Sequence, residues 1–157
     1  MKFNRLWCVW LLFAVVAPAQ AATVNYFSYG SPWRFRLGTN EASVPISDWR
    51  TNSNDDGWSL PVPTPIGYGT PAPVTFIPES DEITPNWLCV FMRRTFVVAN
   101  PAAVASATLS INIDDGYIVW INGTEITPRY NMPSGEPTTN FAASVAGEPV
   151  VLTHSVS

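Results

Sequence analysis

Lysine is all but missing from this chain, which has Lys2 and no other, and histidine occurs once, at His154. Cysteine is nearly as scarce, with Cys8 and Cys89 the only two. With one histidine and so few thiols, the pattern offers no assembled histidine-based triad and no zinc site of the Cys/His type. No Gly-x-Ser-x-Gly, P-loop or Gly-x-Gly-x-x-Gly pattern occurs, so the common nucleophile-elbow and phosphate-cradling loops are absent as well. A basic stretch is also missing. The formal net charge is −4, and nothing along the chain would release counterions from a nucleic-acid backbone or attract an anionic membrane. Neutral sugars and cations remain as candidate ligands.

Long apolar runs are missing too, except at the start. Lys2 and Arg5 precede the run Leu6 to Val16, which ends at Ala19-Gln20-Ala21. A positive beginning, a short apolar stretch and a small-x-small cleavage pattern describe a secretory signal peptide over residues 1–21. The run is shorter than the ~20 residues that a spanning helix needs. The expected product is therefore secreted or periplasmic, with no membrane attachment after signal cleavage. It keeps six Arg, no Lys and twelve acidic residues, a formal charge of −6. Cys8 leaves with the signal, so Cys89 has no internal disulfide partner. Between Leu88 and Val90 it reads as a small buried hydrophobe rather than a reactive thiol.

What remains, residues 22–157, has the length of one domain. Fourteen of the fifteen prolines lie in it, which argues against helices. Trp33-Arg34-Phe35-Arg36-Leu37 alternates apolar and charged, a strand with its rings inward and both Arg outward. Ser47 to Pro85 holds no sustained period and reads as a long ordered loop system, because disordered segments are poor in residues such as Trp49, Trp58, Tyr68 and Phe76. Val90 to Val98 reads as a strand ended by Asn100-Pro101. Thr108 to Ile113 alternates Leu109, Ile111 and Ile113 against Ser110 and Asn112. Tyr117 to Ile121 is β-branched and aromatic throughout, as in a strand covered on both faces. Two turns flank it. Asp114, Asp115 and Gly116 should close a hairpin with the preceding strand, Gly116 supplying positive φ, and Asn122-Gly123 is the preferred pair for a type I′ hairpin. Thr127 to Gly147 is polar and small, and a final strand covers Pro149 to Leu152. No internal repeat occurs. The expected class is an all-β sandwich.

The ordered set Trp33-Arg34-Phe35, Asn54-Asp55-Asp56-Gly57-Trp58, Ile66-Gly67-Tyr68-Gly69, Arg93-Arg94-Thr95-Phe96, Asp114-Asp115-Gly116 and Val119-Trp120-Ile121-Asn122-Gly123 resembles the galactose-binding-like jelly rolls of secreted bacterial proteins. It is similar to the sugar-binding domains of β-galactosidase-type glycoside hydrolases. The likeness runs from about Tyr26 to Leu152. It implies a jelly-roll β-sandwich. In such domains a Gly-x-Asn turn and further strands follow the position of Val150-Val151-Leu152, which implies that residues 22–157 are an incomplete domain, truncated by about two strands, with further domains of the same polypeptide beyond residue 157.

Three groups of residues could carry chemistry. Asp114 and Asp115 are adjacent carboxylates, but neighbours on a strand point to opposite faces, so turn chemistry explains them better. Asn54, Asp55 and Asp56 offer oxygens for a calcium ion, and the resemblance adds that many such jelly rolls hold a structural calcium; the competing reading is an Asx turn. The aromatics argue for sugar binding, since an exposed ring stacks on a pyranose while polar neighbours bond its hydroxyls. Trp58, Tyr68, Arg129, Tyr130 and Asn131 are the candidate binding residues, set in loop-like segments. Trp33, Trp49, Trp87 and Trp120 read as structural, and His154, near the end of the chain, as chemically silent. Asn122-Gly123-Thr124 matches a glycosylation sequon, which the tight hairpin explains better. The expectation is a non-catalytic extracellular module that binds a polysaccharide or glycan weakly. The alternative is a structural or protein-interaction spacer of a larger secreted protein, in which any catalytic domain would lie beyond residue 157.

Overall fold

The computed structural model describes residues 22–70, 72–78, 87–144 and 149–156. The expected signal segment, residues 1–21, lies outside them. Among the described residues all extended regular structure is β, and the only helical pieces are single 3-10 turns at Asp48–Arg50 and Pro101–Ala103. No helix among them is long and apolar enough to cross a membrane.

Among the described residues nine strands form four small sheets. Strand β1 (Pro32–Leu37) is the centre of a three-stranded antiparallel sheet, between β2 (Val62–Pro63) and β5 (Val90–Arg93). The register Arg34↔Arg93 to Leu37↔Val90 joins β1 to β5. The β5 strand ends at Arg93 rather than running to Val98. Two positions further, its partner would be Pro32, which has no N–H to give to the ladder. Both Arg of β1 are half-buried, because the following loop lies over them instead of leaving that face to water.

Within the proline-rich stretch, β3 (Ile66–Gly67) and β4 (Thr75–Phe76) pair in parallel. The buried Ile77 follows directly, its N–H bonded to the Gly67 carbonyl at 2.8 Å. The ordered loop system thus carries short strands of its own.

Strands β6 (Ala107–Ile113), β7 (Tyr117–Ile121), β8 (Thr124–Tyr130) and β9 (Val150–Val156) complete the list. The hairpin expected around Asp114 to Gly116 does not form. Strand β6 pairs with β9 along its whole length, and β7 pairs with β8, so Asp114 to Gly116 carries the chain from one sheet to another. Gly116 has no positive φ. Its role is close approach: a Cβ there would sit 2.9 Å from the Tyr130 carbonyl oxygen and 3.1 Å from that of Asn131. The Asn131 amide donates to the Asp115 carbonyl at 2.9 Å, fixing the same corner.

At the other end of β7, Ile121↔Thr124 closes a two-residue turn with Asn122 at φ 50° and Gly123 at φ 81°. These are the left-handed values that a type I′ hairpin requires. Pro128, which has no ladder donor, falls where the β7–β8 register shifts between Tyr117 and Val119. Strand β9 is longer than the sequence suggested, because the alternation continues past Leu152: Val150, Leu152, His154 and Val156 point inward while Val151, Thr153 and Ser155 are exposed.

Candidate functional site

The segment after the first 3-10 turn folds through side-chain-to-backbone bonds. Asn52 Oδ1 accepts from the Asn54 N–H at 3.2 Å and Asn54 Oδ1 from the Asp56 N–H at 2.9 Å, two successive Asx turns. The Trp58 N–H then bonds the Asp55 carbonyl at 3.0 Å, closing a turn in which Gly57 has φ 75°. Ser59 returns the chain to β1. Its N–H donates to the Phe35 carbonyl at 2.9 Å and its Oγ accepts from the Phe35 N–H at 3.0 Å.

Arginines hold this loop down. Asp55 is shared by Arg34, at 3.0 Å, and Arg93. Arg34 also donates to the Ser59 carbonyl at 2.7 Å, and Arg93 to the carbonyls of Asn52, at 3.3 Å, and Asn54. Under the guanidiniums lie the tryptophans. Arg93 sits 4.2 Å above the Trp58 ring and Arg50 sits 4.3 Å above that of Trp120. Trp49 joins them, with ring centroids 5.8 Å from Trp58, 5.6 Å from Trp120 and 5.4 Å from Phe91. Arg50 pairs with Glu136, and Arg94 donates to the Pro32 carbonyl at 2.7 Å. The result is a cleft of about 1320 Å³ lined by Arg34, Arg50, Arg93, Arg94, Asp55 and Trp49.

The residues singled out from sequence fall in three places. Trp58 belongs to this cluster, half-buried between Trp49 and Arg93. Tyr68 lies elsewhere, 45 % exposed and edge-on to the buried Trp87 at 6.2 Å. Arg129, Tyr130 and Asn131 lie at the end of β8 and just after it, not in a loop-like segment. The Tyr130 ring stacks on Tyr117 at 5.8 Å. The Arg129 fork grips both oxygens of Glu125, at 2.6 and 2.8 Å, and reaches the Pro133 carbonyl at 2.6 Å. Bonding by Arg129 holds the Glu125 carboxyl below its usual range and raises that of Arg129.

Both oxygens of Asp55, one of the calcium candidates, are engaged by guanidiniums, and Asn54 Oδ1 closes an Asx turn. Among the described residues no three His, Cys, Asp or Glu side chains group as a metal site. Asp114 and Asp115 are exposed.

His154 has a place the sequence did not suggest. It is buried opposite Leu109 and shares a hydrogen bond with the Tyr117 hydroxyl. Burial, with Tyr130 alongside, raises the Tyr117 pKa. Cys89 is half-buried beside Gly38, and burial, with Glu41 nearby, pushes its thiol up to about 11.

Family models, curated proteins and solved structures were each compared with this chain. None matches. The cleft is therefore read from its own chemistry, as guanidinium donors over indole rings with one carboxylate between them. Such an arrangement can donate hydrogen bonds to a polar ligand. Neither His154 nor Cys89 lines it. The sequence signal for the cluster was the exclusive use of arginine after residue 21 and the Arg93-Arg94 pair. Arg offers a planar fork and stacks on rings, which Lys does not.

Proposed function

We propose that this protein is a non-catalytic extracellular module of the galactose-binding-like jelly-roll type that binds polysaccharide weakly. The observation that carries this reading is the cleft over Trp49, in which fixed guanidiniums, the Asp55 carboxylate and the edge of an indole cluster converge. Sugar recognition uses this combination, with donors and acceptors for hydroxyls beside an apolar ring. The all-β architecture with short, irregular sheets is compatible with part of a jelly roll. Titration calorimetry against a panel of plant and bacterial polysaccharides tests the reading. Binding tighter than millimolar that weakens in Trp58→Ala supports it, and no binding to any polysaccharide overturns it.

A structural or protein-interaction spacer is the second reading, and a separate observation favours it. Among the described residues only Ile77, Trp87 and Tyr117 are buried hydrophobics, while large apolar side chains such as Val44, Leu60, Phe76, Val97 and Val151 are more than 60 % exposed. Apolar surface of that extent suits a covering partner. Light scattering separates the two: concentration-dependent self-association without glycan binding favours the spacer, and a glycan-binding monomer favours the module.

A further inference from the structure

We infer that the cleft over Trp49 selects acidic glycans, those whose sugars carry a carboxylate, over neutral ones. The inference rests on the carbohydrate-binding reading and specifies its ligand class. Its ground is a charge distribution opposite to that of the whole chain. The protein carries a formal net charge of −4, yet four guanidiniums, those of Arg34, Arg50, Arg93 and Arg94, line this one cleft, with Asp55 the only carboxylate lining it among the described residues. Even when Glu136, the partner of Arg50, is included, cations exceed carboxylates there by two. Clustered charge at a concave, partly dehydrated surface focuses field and favours an incoming anion.

The protein's own contacts show which anion the geometry accepts. Asp55 already lies between Arg34 and Arg93, a planar carboxylate held by two guanidiniums, and planar carboxylates match the guanidinium fork. Donor capacity is left over. Among the described residues Arg50 and Arg94 each keep a buried Nε without a hydrogen-bond partner, and the Arg50 side chain is only 9 % exposed. Buried donors of this kind are costly to leave unpaired, and an anion in the cleft offsets that cost electrostatically. The Arg94 side chain meets the backbone carbonyl of Pro32 and the ring of Phe27, at 5.5 Å, rather than an acid. A neutral sugar would leave this excess charge uncompensated.

The test compares oligogalacturonate with neutral galacto-oligosaccharide of the same length, and with a sulfated galactan as a third arm. Titration calorimetry is run at ~20 mM and ~500 mM salt, where screening shortens the Debye length to a few ångströms. The expected result is at least tenfold tighter binding of oligogalacturonate than of the neutral chain at low salt, lost at high salt. Arg94→Gln should weaken oligogalacturonate about tenfold, while Arg129→Gln, on β8 and outside the cleft, should not. Circular dichroism confirms that both variants fold. Equal affinity for charged and neutral chains overturns the selectivity while leaving the carbohydrate-binding reading standing, and tighter binding of the sulfated chain overturns the preference for carboxylate. No binding in any arm overturns both. Unchanged uronate affinity in folded Arg94→Gln also overturns the assignment, since the arginines would then serve only to latch the Asn52 to Ser59 loop.

Discussion

Cys89 should react far more slowly in the folded protein than its position at the start of β5 suggests. Burial and the nearby Glu41 raise its pKa from an ordinary 9.0 to about 11. At pH 8 that reduces the thiolate fraction roughly 100-fold, from about one in ten to about one in a thousand. The more basic thiolate is also the better nucleophile, by roughly tenfold for two pK units at a Brønsted coefficient of ~0.45. The net slowing from ionisation is therefore about tenfold, before any shielding by the chain around Gly38. The assay is iodoacetamide labelling followed by mass spectrometry between pH 7 and 11, in buffer and in 8 M urea. The rate in buffer should keep rising past pH 10, while the urea curve should have its midpoint near 9 and flatten above it. Because the folded pKa lies above the unfolded one, the native state holds this proton longer. Its stabilising contribution is complete below about pH 9 and is lost as pH rises towards 11. Equal rates in buffer and urea at pH 8, or a native midpoint near 9, would refute the reasoning.

Gly116→Ala should destabilise the fold by about 1–3 kcal/mol, because the new Cβ meets backbone oxygens at 2.9 and 3.1 Å that cannot swing aside. Gly67→Ala, where nothing lies within 4 Å and φ is not positive, should change stability by no more than about 1 kcal/mol in either direction; urea unfolding of both variants checks the contrast. Tyr117→Phe removes the hydroxyl that partners buried His154 and should cost about 1–3 kcal/mol in the same assay. Glu125 has its pKa lowered by Arg129, so its contribution is present above about pH 4.5 and is lost as pH falls through the lowered native value. Glu125→Gln should therefore lessen the drop in stability between pH 7 and pH 3, by under about 1 kcal/mol because the pair is partly solvated.

Local patterns carried most of what could be read in advance. The alternation in β1 and β6 and the Asn122-Gly123 pair specify strands and a two-residue turn through neighbours alone. Pairing is different, because it depends on which strand arrives from far along the chain. Nothing near Asp114 indicates that β6 takes β9 as its partner instead of β7. The burial of His154 was illegible for a related reason, since a polar residue near the end of a chain acquires an inward position only once the full register with β6 is known. The candidate site was legible in part. Asp55 lines it and Trp58 packs against two of its residues, Trp49 and Arg93, but Arg34, Arg50, Arg93 and Arg94 come from three separate segments and converge only in space. Arg93 and Arg94, neighbours that a continuous strand would send to opposite faces, both reach the cleft because β5 ends between them.

Glycan binding is proposed for the arginine cleft over Trp49. Chemical-shift mapping of the arginine Nε–H and tryptophan Nε1–H signals during titration with oligogalacturonate tests it most directly. Saturable shifts are expected at Arg34, Arg50, Arg93, Arg94, Trp49 and, through its contacts with Trp49 and Arg93, Trp58, with Arg129 unmoved. Shifts confined to Arg129, Tyr68 or Trp87, or no shifts with any glycan at millimolar concentration, would contradict it.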